Sequence, residues 1–395
     1  MAPARREPSL PDEILEDIFL RLTTPSDLAR AAAVCASFRR VASGRRFLRR
    51  FLQPRLHPPP LLGFLEHRGR GGFHQAEPPY GSAPAARAVA QAVDFSFSFL
   101  PSPAGSWRVC DARDGRVLLS RSVPASAAAF ADLAACDPLH RRYVQIPRIP
   151  GDLLSSSCPF APYHDVVEFE PFLTPDSGEE KDGPSFQVIC SVRSWYSAVI
   201  FVFSSVTGIW SRVTSISFLP RRAIKDPKVL VRYYACGCFY WVNGWDGHML
   251  VLDPRDDDMK LSLVELPRIQ VTRHQGLAIV DAGEDRLCVV ALDYWRHTLA
   301  LHCRTWRNNG FGPEKWQHKI IPLPEPEYYW YIKGAADGYL LLKAFPRDSF
   351  QQPEALYFTL ELKTMLIERL CVSDHHICHA YLYASFPPPL SPPSI

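Results

Sequence analysis

Near the N-terminus, apolar residues fall at Ile14, Leu15, Ile18, Phe19 and Leu22, the spacing of one face of a helix. Pro11 suits the first helical position, where its missing N–H leaves nothing unpaired. Asp12 and Glu13 then sit in the first turn, where the helix dipole favours negative charge. Thr24-Pro25 repeats that logic, with Thr24 as N-cap and Pro25 at the first position. A second apolar stripe runs through Leu28, Ala31, Val34, Cys35, Phe38 and Val41 towards a stop at Gly44. His57-Pro58-Pro59-Pro60 cannot continue a helix and closes this stretch.

Beyond it the periodicity changes. Leu61 to Leu65 is a short apolar strand candidate, and Glu66 to Ala92, rich in Gly, Pro, Ala and Arg, reads as an irregular loop. From Val93 onward, short runs of Val, Ile, Leu, Phe, Tyr and Trp alternate with turn residues. Ser126 to Leu133 is the one modest helical stretch. Many short strands at regular spacing predict a sandwich, barrel or propeller. A weak repeat selects the propeller. Trp107 to Leu119 carries a hairpin signal at Asp114-Gly115, and Ile332 to Leu342 repeats it at Asp337-Gly338. Looser versions run from Ala235 to Asp253 and from Gly276 to Leu292. A second element, a strand and turn ending in Ile-Pro or Leu-Pro, follows at Ile146-Pro147, Leu266-Pro267 and Leu323-Pro324. The period of about 45 to 55 residues fits a four-stranded blade, with room for six or seven blades. A propeller closes its last blade on its first, so Ile377 to Phe386 is expected to share a blade with Leu61 to Leu65.

The opening stretch resembles the F-box. The matching residues are Leu10-Pro11-Asp12-Glu13-Ile14-Leu15, then Ile18, Leu22 and Leu28, then Val34-Cys35 and Phe38-Arg39. The resemblance implies docking on the Skp-family adaptor of a cullin ubiquitin ligase through Leu10, Pro11, Ile14, Leu15, Ile18, Leu22, Leu28, Val34, Cys35, Phe38 and Arg39. The family usually has Trp where this chain has Phe38; Phe keeps the aromatic anchor and loses the indole N–H, which implies a weaker grip. The remainder is similar, more loosely, to the F-box-associated and kelch-like propellers of large plant families, although no kelch double-glycine signature repeats.

Composition narrows the picture. At 395 residues the chain exceeds a usual single core, and 47% hydrophobic with 22% charged residues suits a folded, soluble protein. The net charge of +3 favours no particular partner. Arginine is concentrated at Arg39, Arg40, Arg45, Arg46, Arg49, Arg50 and Arg55; a nuclear-localisation or RNA-contact reading competes with a solvated helix face that turns Val41, Phe47, Leu48 and Phe51 inward. The face is the simpler account. Eleven cysteines without a secretory leader predict reduced thiols and a cytoplasmic or nuclear location. No run of eighteen apolar residues predicts a membrane span.

Candidate chemistry is sparse. Cys371, His375, His376, Cys378 and His379 lie close together, but structural zinc sites separate their ligand pairs by longer stretches, so a turn and strand are expected. Cys236 and Cys238 read as two thiols on one strand face, packed in the core. No Gly-x-Ser-x-Gly, phosphate loop or dinucleotide fingerprint occurs. Trp195-Tyr196, Tyr294-Trp295 and Tyr329-Trp330 are the candidate target-binding residues, since Trp and Tyr are enriched at binding hot spots; blade packing is their alternative role. Basic residues rarely interleave with them, which disfavours nucleic acid.

The resulting expectation is an α+β multidomain chain: residues 1–8 disordered, a three-helix F-box at 9–56, an all-β propeller of six or seven blades at 61–386 with an acidic flexible loop at 174–185, and a proline-rich tail at 387–395. It would be a non-catalytic substrate receptor of a Skp–cullin–F-box ligase, with no cofactor and no metal, binding the adaptor at one end and an unknown protein target at the other. The alternative is a propeller binding module whose F-box no longer recruits a ligase. An enzyme would require His, Asp or Glu to converge on the propeller axis.

Overall fold

A computed structural model gives the architecture and describes residues 10–22, 25–51, 59–67, 72–101, 106–121, 132–157, 168–175, 185–217, 230–242, 247–255, 259–267, 276–283, 285–307, 310–312, 315–336, 338–347, 354–374, 377–385 and 395. The expected disordered N-terminus, the Thr24 cap and most of the acidic loop and the tail lie outside them.

The N-terminal module has four helices: α1 (Asp12–Phe19), α2 (Pro25–Val34), α3 (Ala36–Ala42) and α4 (Arg45–Phe51). Pro11 is the N-cap of α1 rather than its first residue, and Asp12 and Glu13 occupy the first turn as expected. The second apolar stripe is divided at Cys35. Its backbone is extended (φ −154°), and its Sγ accepts a hydrogen bond from the Phe38 amide, capping α3. One face of each helix meets in a small core of Leu15, Phe19, Leu28, Val41, Ala42, Phe47, Leu48 and Phe51. Phe19 meets Phe38 edge-on at 5.3 Å and Phe47 at 6.1 Å. Val41, Phe47, Leu48 and Phe51 thus turn inward, with Arg39, Arg40, Arg46 and Arg50 exposed. Arg40–Asp12 and Arg50–Glu16 are exposed ion pairs between helices, each worth at most about 1 kcal/mol.

The rest is a six-bladed propeller. β1 (Leu61–Glu66), β2 (Phe73–Gln75) and α5 (Ala83–Ala92) come first. The second blade is β3 (Trp107–Arg113), β4 (Arg116–Arg121), β5 (Asp132–Asp137) and β6 (Arg142–Ile146), followed by α6 (Gly151–Ser157). The third is β7 (Glu168–Leu173), β8 (Gln187–Arg193), β9 (Ser197–Ser204) and β10 (Ile209–Ser217). The fourth is β11 (Val231–Ala235), β12 (Cys238–Val242), β13 (His248–Asp253) and β14 (Lys260–Glu265). The fifth is β15 (Leu277–Asp281), β16 (Arg286–Asp293), β17 (Thr298–Arg307) with the short β18 (Gly310–Phe311), and β19 (Gln317–Pro322). The sixth is β20 (Tyr328–Ala336), β21 (Tyr339–Pro346), β22 (Ala355–Glu361) and β23 (Leu366–Ser373). Last comes β24 (Ala380–Ala384), which pairs antiparallel with β1, so both ends of the β-region share the first blade as expected.

Burial follows position in the blade. β24, β3, β7, β11, β15 and β20 are innermost. Middle strands such as β9 (SAVIFVFS) and β12 (CFYWV) are buried almost throughout, because both faces meet a neighbouring blade. Outermost strands such as β10 and β19 are mostly exposed and carry Ser, Arg, His, Lys and Gln, which discourage edge-to-edge pairing. The Asp114-Gly115 hairpin is present, both residues having positive φ.

Four readings are corrected. Ala83–Ala92 is a helix in the segment read as loop, started by Pro84 near its first position. Gly151–Ser157 is also helical. Asp132 and Leu133 open β5 instead of ending a helix; the remainder of the helical stretch read at Ser126 lies outside the described residues. Cys236 and Gly237 form the two-residue turn between β11 and β12, so Cys236 and Cys238 do not share a strand face; only Cys238 is buried. In addition, Cys288 and Cys303 stand opposite each other in β16 and β17 and are joined by a disulfide, where reduced thiols were expected.

Candidate functional site: the helical face and the propeller axis

The helical module presents its apolar residues in two groups. Ile14 (46% exposed) and Ile18 (45%) share one side of α1, with Leu10 exposed just before it, while Leu15 and Phe19 on the helix's other side are buried. Val34 (72%) and Cys35 stand exposed where α2 passes into α3. The Arg40–Asp12 pair ties α3 to the start of α1. Isolated exposed apolar side chains are ordinary, but several at helical spacing on so small a module are less so. Of the sequence-derived contacts, Leu10, Pro11, Ile14, Ile18, Val34, Cys35 and Arg39 are exposed; Leu22 and Phe38 are half-buried. Leu15 and Leu28 are corrected: they lie in the module's own core and shape the surface from beneath.

The aromatic candidates gather at one end of the propeller. In an antiparallel blade, the start of the innermost strand and the turn between the second and third strands lie at the same end. Trp195 and Tyr196 occupy the β8–β9 turn, Tyr294 and Trp295 the β16–β17 turn, and Tyr329 the start of β20. Trp195, Tyr196 and Trp295 (76%) are exposed. Tyr294 stacks on Tyr329 at 5.6 Å. Trp330 is corrected to a core residue: it is buried, packs on Phe358, and donates its Nε1–H to the Glu325 carbonyl.

Behind this end lies a polar axis that the sequence reading missed. Five of the six innermost strands send a polar or charged side chain to it: Asp111 from β3, Glu170 from β7, Arg232 from β11, Lys333 from β20 and Tyr381 from β24. Glu170 accepts hydrogen bonds from Arg193 Nη1 (2.6 Å), Trp241 Nε1 (2.7 Å) and Arg232 Nε (3.0 Å). Burial alone would raise its carboxyl; the Arg193 and Arg232 charges overcome that and hold it at about 2. Arg232 also pairs with Asp111 at 3.2 Å, and Asp111 accepts the Leu173 amide at 2.9 Å. His67 Nδ1 lies 2.7 Å from the Tyr381 hydroxyl. Burial, aided by His67 and Arg232, pushes His379 down to about 3 and keeps it neutral. Burial and the neighbouring Lys343 bring Lys333 down to about 8; its Nζ donates to the Cys378 carbonyl at 3.3 Å.

Two β-bulges aim this cluster. The β3–β4 register shifts between Val109 and Asp111, and the β20–β21 register between Ile332 and Gly334. Gly334 lets β20 approach β24: a Cβ there would sit 2.3 Å from the Ala380 carbonyl oxygen.

A general base works best with a pKa near the operating pH, and Glu170 is far below it. Among the described residues, no three His, Cys, Asp or Glu side chains are grouped to hold a metal ion. Of the His/Cys cluster near the C-terminus, Cys371 is buried in β23, Cys378 is exposed, and His375 and His376 lie outside the described residues. No helix among the described residues is long and apolar enough to cross a membrane.

Comparison with known proteins separates the two parts. No curated protein matches the chain. Solved structures that match in part include the α-L-arabinanase of Penicillium chrysogenum (9% identity over 66% of this chain and 91% of that chain, TM-score 0.31). TolB of Acinetobacter baumannii matches at 9% identity over 68% of this chain and 53% of that chain, TM-score 0.35. The β-propeller domain of the Trilobed protease from Pyrococcus furiosus matches at 10% identity over 67% of this chain and 71% of that chain, TM-score 0.34. At these scores none of them bears on function. The helical module is different, because residues 8–54 match a family model directly, with Leu10, Ile14, Ile18 and the Val34-Cys35 corner inside the match. Residues 8–54 thus match the F-box-like family model, and they are followed by a six-bladed β-propeller.

Proposed function

We propose that this protein is the substrate-recognition subunit of a Skp–cullin–F-box ubiquitin ligase. The F-box-like domain would dock the Skp-family adaptor, and through it cullin, by Leu10, Pro11, Ile14, Ile18, Val34, Cys35 and Phe38. The aromatic end of the propeller would hold the protein target. The observation that carries this reading is the exposed apolar set Leu10, Ile14 and Ile18 within the family match. A four-helix module of this size buries little surface of its own, so covering that set with a partner is favourable. The protein would form and break no bonds itself. It would raise the local concentration of target lysines beside the ubiquitin-charged enzyme. The paired state of Glu170 and Asp111 supports a non-catalytic role.

The test is co-purification of the adaptor with the full chain and with a Leu10→Ala, Pro11→Ala double variant. Capture by the parent and loss in the variant, at unchanged melting temperature, is the expected result. Equal capture by both would remove the proposal. A second reading, a propeller module that recruits no ligase, is kept by Phe38. Its ring is half-buried against Phe19, where the family usually has Trp. Adaptor binding undetectable in the parent and restored by Phe38→Trp would select it.

A further inference from the structure

The outer edge of the fifth blade sets two histidines opposite each other. His302 of β17 and His318 of β19 are register partners in an antiparallel pair. Directly opposite side chains in such a pair stand on one face of the sheet, with Cβ atoms roughly 5 Å apart. The two rings meet edge to face with their centres 4.6 Å apart. The next residues, Cys303 and Lys319, alternate to the other face. There Cys303 is bonded to Cys288 of β16, so the strand that carries His302 is tied to its inner neighbour.

The pair is open to solvent from one side. His318 is exposed and His302 is half-buried. The His302 Nδ1 is buried with no hydrogen-bond partner among the described residues, which leaves Nε2 to meet water or a ligand. Arg304, the cation two positions along β17, is drawn over the face of Trp316 at 5.6 Å.

The spacing suits a metal ion. An ion bound to an imidazole nitrogen at about 2.0–2.1 Å lies roughly 3 Å from the ring centre. One ion can therefore reach both rings, whose centres are 4.6 Å apart, at about a right angle. Neighbouring ligands make that angle in the tetragonal and octahedral sites of Cu(II) and Ni(II), ions that imidazole suits. Mg(II) and Ca(II) take oxygen ligands instead. The edge-to-face approach requires one ring to turn, and His318, exposed on the outermost strand, has the freedom to do so.

We propose that His302 and His318 form a two-histidine site for a divalent transition-metal ion of the imidazole-binding class. Water would fill the remaining positions. The ion would clamp the outermost strand of the blade, β19, onto β17. With two protein ligands, and no outer hydrogen bond on Nδ1 among the described residues to strengthen one of them, the site would hold its ion reversibly.

The test is isothermal titration calorimetry of the full chain with NiCl2, and with MgCl2 for comparison. Ni(II) is chosen over Cu(II) because it does not oxidise exposed thiols such as Cys35 and Cys378. The expected result is one strongest Ni(II) site per chain and none for Mg(II). His318→Gln, at an exposed position that folding tolerates, should weaken that site about tenfold or more, and His302→Gln should do the same. His297→Gln, at the β16–β17 turn, should leave it intact. Ni(II) should also raise the melting temperature of the parent and not that of His318→Gln, a comparison that does not depend on how well His302→Gln folds. Absence of a Ni(II) site in the parent, equal binding of Mg(II), or a strongest site that survives His318→Gln overturns the proposal. So does a strongest site lost equally in His297→Gln.

Discussion

Arg232 and Glu170 meet at 3.0 Å across the boundary between the third and fourth blades. Arg232 also reaches Asp111 of the second blade, so one guanidinium joins three innermost strands. Removing one partner of such a cluster leaves a buried charge uncompensated, which costs more than the pair contributes. Glu170→Ala removes the carboxylate shared by Arg193, Arg232 and the Trp241 N–H, leaving Arg193 no charged partner among the described residues and Arg232 only Asp111, and is expected to destabilise the propeller by about 3–5 kcal/mol. Urea unfolding followed by tryptophan fluorescence measures this. A loss under 1 kcal/mol would show that the cluster is dispensable.

Ile18 and Leu28 should separate contact from core within the F-box-like domain. Ile18 is nearly half exposed and Leu28 is fully buried. Ile18→Ala should leave the melting temperature within a degree or two and weaken adaptor capture. Leu28→Ala should cost about 2–5 kcal/mol by cavity formation and unfold the module, giving lost capture together with lost helicity. Circular dichroism beside the pull-down distinguishes the two outcomes.

Gly334→Ala is expected to be poorly tolerated for a reason unrelated to helix or strand propensity. The added methyl would meet the Ala380 carbonyl oxygen, a backbone atom that no rotamer change can move. Strain of this kind typically costs about 1–3 kcal/mol and here falls on the β20–β24 contact. Hydrogen exchange should show faster opening of β24 amides in the variant. Unchanged exchange would argue against close packing there.

Acid should weaken the fold before the carboxylates titrate. His379 stays neutral in the folded chain to about pH 3, whereas the same side chain unfolded takes its proton near 6.5. Between those values the unfolded state binds the extra proton, so stability falls as pH falls. His302, also pushed down by burial, acts in the same direction. Glu170 adds its own loss below 4.5, as pH approaches about 2. His379→Gln should therefore flatten the melting-temperature profile from pH 6.5 down to about 3, leaving the Glu170 loss that begins below 4.5. A parallel shift of the entire profile would assign the early loss elsewhere.

What the sequence disclosed depended on how local each signal was. The helix stripes and the Asp114-Gly115 turn could be read from short stretches, and the pairing of the first and last strands followed from the closure a propeller requires. The spacing put Ile14 and Ile18 on one face with Leu15 and Phe19, and it did not show that the first two are exposed and the last two buried. Cys35 was legible as part of an apolar stripe, but its role as a cap needed its extended backbone. The Ala83–Ala92 helix was hidden by composition: a run of Ala flanked by Gly and Pro reads as loop unless the Pro near the start is weighed as a helix signal. Trp330 was inseparable from Tyr329 because alternation along a strand sends neighbours to opposite faces, and sequence alone does not say which faces the core. The axial cluster was out of reach. Asp111, Glu170, Arg232, Lys333 and Tyr381 come from five blades, and the bulges at Cys110 and Lys333 that help aim it leave no periodic trace.

The pairing of β1 with β24 carries a consequence in time. Phe64 and Leu382 are register partners, yet about three hundred residues are synthesised between them. At ~5–20 residues per second, the free edge of β1 waits on the order of fifteen to sixty seconds for its neighbour. During that interval the helical module beside it is complete, because every residue of its core lies before Pro60. A nascent chain thus carries a finished helical module ahead of an unclosed ring. The Leu61-Leu62-Gly63-Phe64-Leu65 edge would then need shielding from other strands until the last blade arrives.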